Sequence, residues 1–225
     1  MLDLRQLFDA LLEERARTWA PADLKANADQ RQTLVTDFRG RRLVTAGDFV
    51  PNARLLLADG AETDLDQVLR AGPVILIFFR FAGCPACNIA LPHYAQTLFA
   101  EAQRRGATLL ALSPQIPQRV VEIARRHSLP FPVATDPDNG LARHFNITFG
   151  PTPDQRAAAA AAGRSAIRDI TGGRDDHLPS PAVVIIGQDH KVVFADVTPD
   201  WMRRTETAAI LAALDSVRSA ALAAD

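Results

Sequence analysis

Apolar residues along this 225-residue chain change their period several times, and each change marks an element. Leu4, Leu7, Phe8, Leu11 and Leu12 recur at helical spacing until Pro21 interrupts them, and a second, more polar helical stretch covers 22–38. Residues 1–45 therefore read as a helical N-terminal extension, an arm for packing or for contact in a homodimer. Residues 54–58 form a short strand candidate ended by the Asp59-Gly60 turn, and 64–70 one or two helical turns. The run 73–79 (PVILIFF) is β-branched and aromatic with no alternation, the pattern of a central strand covered on both faces. A long helix after Cys84 reaches about Arg105 and stops at Gly106; a second buried strand follows at 107–112. A helix with Pro at its first turn (117–126), a short strand (131–134) and another helix (139–145) continue the rhythm. Strands alternating with helices predict an α/β fold whose parallel strands are joined by right-handed crossovers.

Residues 150–178 break that rhythm. Pro151 and Pro153 open the segment, six alanines at 157–162 favour a helix, and Thr171-Gly172-Gly173 closes it, so it reads as a helical insertion with a loop. Strands at 182–186 and 191–195, joined by Gln188-Asp189-His190, predict a β-hairpin. The stretch 205–220 is an amphipathic helix with Ile210, Leu211, Leu214 and Val217 on one face. No internal repeat is visible. The domain organisation is thus the 1–45 extension and one domain over 46–225.

Composition narrows the function more than the fold. At 48% hydrophobic and 23% charged the chain suits a globular α/β domain, and a net charge of -1 provides no electrostatic footprint for nucleic acid or an anionic membrane. The opening residues mix acids and bases without an apolar core, unlike a secretory signal, and the run 74–79 is far too short to cross a bilayer. The expectation is a soluble, cytoplasmic protein.

Two cysteines occur, Cys84 and Cys87, three positions apart. Random placement would give that spacing in roughly one chain in a hundred of this length, so a working pair is the better reading. A disulfide framework is excluded, and a bridge across so small a loop would restrict the unfolded chain little. Around the pair the order is strand, short loop, Cys, Pro, x, Cys, helix. Pro85 presets the φ of a first helical position, which puts Cys84 at the N-cap, where the free N–H groups and the helix dipole favour a thiolate. Such placement can bring a cysteine from about 8.5 down to about 3.5–7.5. Cys87, one turn on, lies on the same face and can attack a sulfur on Cys84, so a redox-active disulfide of CxxC type is expected. Zinc would need two further ligands, and His93, His127, His144, His177 and His190 have no paired spacing; no metal or cofactor is expected.

These residues resemble the thioredoxin-like superfamily, and within it the peroxiredoxin-like branch of the alkyl hydroperoxide reductase and thiol-specific antioxidant family. The resemblance rests on the aromatic strand running into CPxC (FFRFAGCPAC, 78–87), on Pro92 eight residues after Cys84, and on LPSPAVVII (178–186), where Pro181 matches a cis-proline that faces the thiols. The blocks ATLLALSPQ (107–115) and FPVATDP (131–137), and residues 196–204, also look like the family; the likeness spans about 48–217. It implies a thioredoxin-like fold, a central mixed sheet flanked by helices with the insertion ahead of the cis-proline strand. It further implies an antioxidant oxidoreductase in which Cys84 reduces a peroxide, Cys87 resolves the sulfenic acid, and an external thiol system of thioredoxin type restores both. A general thiol–disulfide oxidoreductase and a non-enzymatic redox sensor are the alternatives.

The chain departs from that family where peroxide is usually oriented. A Pro seven before and a Thr or Ser three before the reactive Cys are expected; Ile77 and Phe81 stand there, and Phe78 replaces the buried acid of thioredoxins. The family's later-strand arginine has no match, because Pro181 occupies its region. Arg80 is the available substitute, although a solvated arginine leaving a strand is the commoner case. Cys84 is therefore expected to depend on helix-terminal electrostatics. Of the remaining polar residues, His93 reads as a solvated helix position, Asp175, Asp176 and His177 as a polar loop, and Trp201 as a packing aromatic.

Overall fold

A computed structural model describes residues 2–163 and 165–222, with side chains up to residue 216. The chain opens with helices α1 (Leu4–Thr18) and α2 (Pro21–Phe38), then strands β1 (Arg54–Leu57) and β2 (Glu62–Asp64) and a short helix α3 (Leu65–Leu69). Strand β3 (Val74–Phe78) leads to α4 (Pro85–Thr97) and α5 (Phe99–Arg104), which meet at Leu98 where one unbroken helix was expected. Next come β4 (Thr108–Ser113), α6 (Pro117–His127), β5 (Val133–Thr135) and α7 (Gly140–His144). The insertion runs from β6 (Thr148–Phe149) through α8 (Pro153–Ala161) and α9 (Ile167–Thr171) to β7 (Leu178–Pro179). Strands β8 (Ala182–Ile186) and β9 (Val192–Val197) and helix α10 (Thr207–Leu222) complete it.

Seven strands form one mixed sheet in the order β2-β1-β5-β4-β3-β8-β9. Only the neighbouring pairs β3–β4 and β4–β5 are parallel; β1 runs antiparallel to β5, and β8 antiparallel to β3. The expected crossovers therefore build the centre of the sheet, and hairpin-type connections build its edges. Every residue of β3 is buried. Its alternate side chains serve two cores: Ile75 and Ile77 join Leu4, Phe8, Leu91, Ile210 and Leu214 on one face, and Val74, Leu76 and Phe78 join Leu55, Leu65, Phe145 and Ile147 on the other. Each such side chain contributes about 1.5–3 kcal/mol on burial, which explains why this strand shows no polar alternation.

Helix α1 is part of the first core. Asp3 caps it in a reciprocal box with Gln6, and the Glu206 carboxylate accepts the backbone N–H groups of Leu4 and Arg5 at 3.1 and 3.0 Å. Leu4 and Phe8 are buried against the helix that carries the cysteines. The insertion is closed at its base by the antiparallel pair β6 and β7, and its alanine-rich α8 buries nothing. On α10, Ile210 and Leu214 are buried as the periodicity predicts, while the side chain of Val217 lies outside the described residues. Among the described residues no helix is long and apolar enough to cross a membrane.

Candidate active site

The parallel strands β3, β4 and β5 deliver their C-terminal ends to one edge of the sheet, the place where open α/β folds collect reactive groups. Residues 79–84 leave β3 there, and the Cys84 N–H closes the loop on the Phe81 carbonyl at 3.1 Å. Cys84 is the N-cap of α4, in extended backbone (φ -72°, ψ 119°), with Pro85 at the first helical position as its φ requires. Cys87 sits in the first turn behind it. Neither sulfur is in a disulfide, and both residues are almost completely covered, at 1% and 0% exposure.

Cys84 and Cys87 nevertheless differ sharply. The Cys84 thiol is lowered to about 5, first by the hydrogen bond that the Cys87 thiol donates to it. Burial works against this, and the charges of Arg80 and Arg204 work for it, with a lesser contribution from the Cys87 backbone N–H. Cys87 is pushed well above its ordinary value, by burial first and then by donating to, and sitting beside, the Cys84 thiolate. One sulfur is thus held ionised and its neighbour held protonated. The helix terminus contributes to this through the Cys87 backbone N–H, and the partner thiol and two arginines add to it.

Arg80 is not the solvated residue that its place after a strand implied. Its guanidinium carbon lies 4.9 Å from the centroid of Trp201, 5.4 Å from that of Phe81 and 5.9 Å from that of Phe149, and its Nε is buried without a partner. Arg204, which the sequence reading missed, points Nη2 at Cys87 Sγ from 3.8 Å and donates through Nη1 to the carbonyls of Trp201 and Arg203. It comes from the loop between β9 and α10, which has no period to mark it. Two more residues were missed. The Gln115 Oε1 accepts the Ala82 N–H at 2.6 Å and its Nε2 donates to the Ile170 carbonyl at 3.1 Å, tying the cysteine loop to α9. Asn88 donates to the carbonyls of Ala82 and Cys84 at 2.7 and 2.8 Å, and its Oδ1 receives Arg126 and His127, both at 2.8 Å. A polar residue four past an N-cap cysteine is the one signal that could have singled out Asn88.

Residues 46–195 match a family model described as the AhpC/TSA family, well over half of the chain. The chain belongs to the AhpC/TSA family. Its fold is similar to that of peroxidoxin BcpB from Mycobacterium tuberculosis (20% identity, TM-score 0.59, covering 77% of this chain and 98% of that one). It is also similar to peroxiredoxin 6 of Arenicola marina (21%, 0.60, covering 79% and 75%) and to PrxQ of Xylella fastidiosa (17%, 0.59, covering 81% and 99%). No curated protein matches the chain by sequence. Against this family background the AhpC/TSA member described here differs from expectation at two of its quoted residues. Pro181 is not a cis-proline: no peptide bond among the described residues is cis, and the Pro181 carbonyl instead accepts Thr198 N–H and Oγ1 at 2.8 and 3.0 Å, anchoring the β9–α10 loop. His93 is buried rather than solvated, 7% exposed with its ring 6.2 Å from that of Tyr94, and burial lowers its pKa. Asp175 and His177 do form a polar loop, with His177 Nδ1 2.6 Å from the Asp175 carboxylate, which Asn139 and Arg143 also engage. Trp201 is packed in the first core, as expected.

Proposed function

We propose that this AhpC/TSA member is a thiol peroxidase of peroxiredoxin type, acting in the cytoplasm, with Cys84 as the peroxidatic thiolate and Cys87 as the resolving thiol. The observation that carries the reading is the split between two adjacent sulfurs, one ionised near pH 5 and one protonated, under the charges of Arg80 and Arg204. At pH 7 Cys84 is almost wholly thiolate, so its nucleophilicity does not wait on a base. The thiolate attacks the distal oxygen of ROOH; the O–O bond breaks, the alkoxide leaves and takes a proton, and Cys84 becomes a sulfenic acid. The thiol of Cys87 then attacks that sulfur, the S–OH bond breaks, and water leaves as the Cys84–Cys87 disulfide forms. An external dithiol of thioredoxin type reduces the disulfide by exchange and is itself oxidised. Near-complete burial of Cys84 favours a small peroxide as its oxidant.

Stopped-flow mixing of the reduced protein with hydrogen peroxide tests this. The expected result is oxidation of Cys84 orders of magnitude faster than that of free cysteine, one disulfide per chain, and a trapped sulfenic acid in Cys87→Ser. A rate equal to that of free cysteine removes the peroxidase reading and leaves disulfide exchange.

A further inference from the structure

Cys87 is held as a thiol, yet its sulfur is surrounded as a thiolate would be. Arg204 points Nη2 at Cys87 Sγ from 3.8 Å, and the Arg80 backbone N–H also favours charge on that sulfur. A thiol sulfur is a weak acceptor, so donors aimed at it gain little until the proton leaves. The Arg204 guanidinium is fixed in this position. Its Nη1 donates to the carbonyls of Trp201 and Arg203, both at 2.6 Å, and its carbon lies 5.4 Å from the centroid of Phe8 on α1. None of these contacts is to a carboxylate. The loop that carries Arg204 is tied down on both sides: Thr198 donates to the Pro181 carbonyl, and the Thr205 carbonyl accepts the hydroxyl of Tyr94, on the cysteine helix, at 2.7 Å.

Burial keeps Cys87 protonated in the reduced protein, followed by its hydrogen bond to Cys84 and by the Cys84 charge. Reaction of Cys84 with peroxide weakens the second influence and removes the third, because a sulfenic acid is neutral. The charge of Arg204, until then shared between both sulfurs, is left to Cys87. The other groups around the pair do not oppose this. Arg80 and the buried Arg15 of α1 are cations on the Cys84 side, and no carboxylate is hydrogen-bonded to either sulfur among the described residues. Glu206 is committed to the first N–H groups of α1, and Arg126 and His127 to Asn88. Asp196 and Glu206 bear on Tyr94, further along α4, and burial holds Tyr94 and His93 in their neutral forms.

We propose that Arg204 is the counter-ion of the resolving step: it stabilises the Cys87 thiolate that forms once Cys84 has been oxidised, so that the peroxide reaction itself activates the second sulfur. The inference rests on the peroxidase reading and assigns a residue to its second step. Cys87 gives up its proton, its sulfur forms the S–S bond with Cys84, and the S–OH bond breaks with both electrons going to oxygen. The departing hydroxide takes a proton and leaves as water, so no oxidant beyond the peroxide is needed. Until then Cys87 stays protonated and unreactive, which spares it from oxidation on its own account. Arg204 lies outside residues 46–195, the part that matches the family.

Stopped-flow mixing of the reduced full chain with hydrogen peroxide separates the two steps, because oxidation of Cys84 depends on peroxide concentration and closure of the disulfide does not. The readout is the pH midpoint of the concentration-independent phase. In the wild type it is expected at least about one unit below the pH at which Cys87 ionises in the reduced protein, read at 240 nm against Cys87→Ala. Coincident values overturn the proposal, and this comparison needs no change at residue 204. Arg204→Gln is expected to raise the midpoint by about one unit and to slow the phase about tenfold at pH 7, the size of one charge-assisted hydrogen bond; Arg204→Lys is expected to recover part of both. A slower phase with an unmoved midpoint means that Arg204 only shapes the loop, which also overturns the proposal. Cys84→Ser answers the question without peroxide, since residue 84 is then uncharged: adding Arg204→Gln is expected to raise the Cys87 midpoint at 240 nm by about one unit. Oxidation no faster than that of free cysteine removes the peroxidase reading, and the Cys84→Ser comparison then decides Arg204 alone: equal midpoints with and without the arginine overturn its role.

Discussion

Replacing Cys87 by alanine removes the largest single influence on the Cys84 thiolate, the hydrogen bond from its neighbour. A hydrogen bond to a charged acceptor is worth about 1.5–3 kcal/mol, and 1.36 kcal/mol corresponds to one pKa unit, so the Cys84 midpoint should rise by about one to two units. The wild-type midpoint of about 5 thus moves to about 6–7, still below that of an ordinary thiol because Arg80 and Arg204 remain. Cys87→Ser, which keeps an O–H donor, should shift the midpoint less than alanine does. Thiolate absorbance near 240 nm, followed from pH 3.5 to 9, is the suitable assay, since it reads ionisation without asking a reagent to reach a buried sulfur. A midpoint in Cys87→Ala that stays at the wild-type value refutes the assignment of the donor. A wild-type midpoint near 8.5 refutes the whole electrostatic account.

The same shift sets a pH dependence of stability: the folded-state value of Cys84 lies below the unfolded one, so its contribution is complete above about 8.5 and is lost as pH falls through about 5. Urea midpoints of the wild type, measured against Cys84→Ser, should accordingly rise between pH 5 and 8; a flat difference contradicts this. Gln115→Ala leaves the Ala82 N–H and the Ile170 carbonyl without their partner, a loss of about 1–3 kcal/mol for each group left buried, and should loosen the cysteine loop as read by faster Cys84 alkylation. Leu4→Ala, at a fully buried position, should cost about 2–5 kcal/mol by urea unfolding; a loss under half a kcal/mol would show that α1 is not docked on the core. Gly72→Ala puts a Cβ 2.2 Å from the Gly106 carbonyl oxygen at a backbone φ of 139°, and a melting temperature equal to the wild type would contradict that close approach between the β3 and β4 entries.

Much of the framework was legible because it is local. The PVILIFF run needs no partner to announce a strand covered on both faces, and Cys-Pro at a strand-to-helix junction encodes its own N-cap geometry. Antiparallel β8 against β3 was less accessible, since the direction of a strand depends on where the insertion returns the chain, and β6 with β7 fixes that return through two residue pairs only. The arginines were illegible for a different reason. Arg15 sits among Glu13, Glu14 and Arg17 on a charged stretch that looks like a solvent face, yet it is buried because its stem and plane pack between Trp19 and Trp201. Nothing local in the sequence encodes a contact between residues 15 and 201.

That hidden shell also accounts for the apolar residues at Ile77 and Phe81. Ile77 is committed to the first core, and the half-buried Phe81 supports the Arg80 guanidinium at 5.4 Å, so neither position has a hydroxyl to offer. Charge from Arg80 and Arg204 and a donor from Cys87 take over the stabilisation that a Thr or Ser would otherwise share. Cys87 then holds two roles that its replacement separates. As donor it keeps Cys84 ionised, a role a serine retains in part; as nucleophile in the proposed mechanism it closes the disulfide, a role only sulfur performs. Cys87→Ser should therefore still be oxidised quickly by peroxide yet stop at the sulfenic acid, whereas Cys87→Ala should be slower at pH 5.5, where its Cys84 is mostly protonated, and converge on the serine variant by pH 8. Equal rates for the two variants at pH 5.5 would mean that the hydrogen bond does not hold the thiolate, and that the arginines alone do.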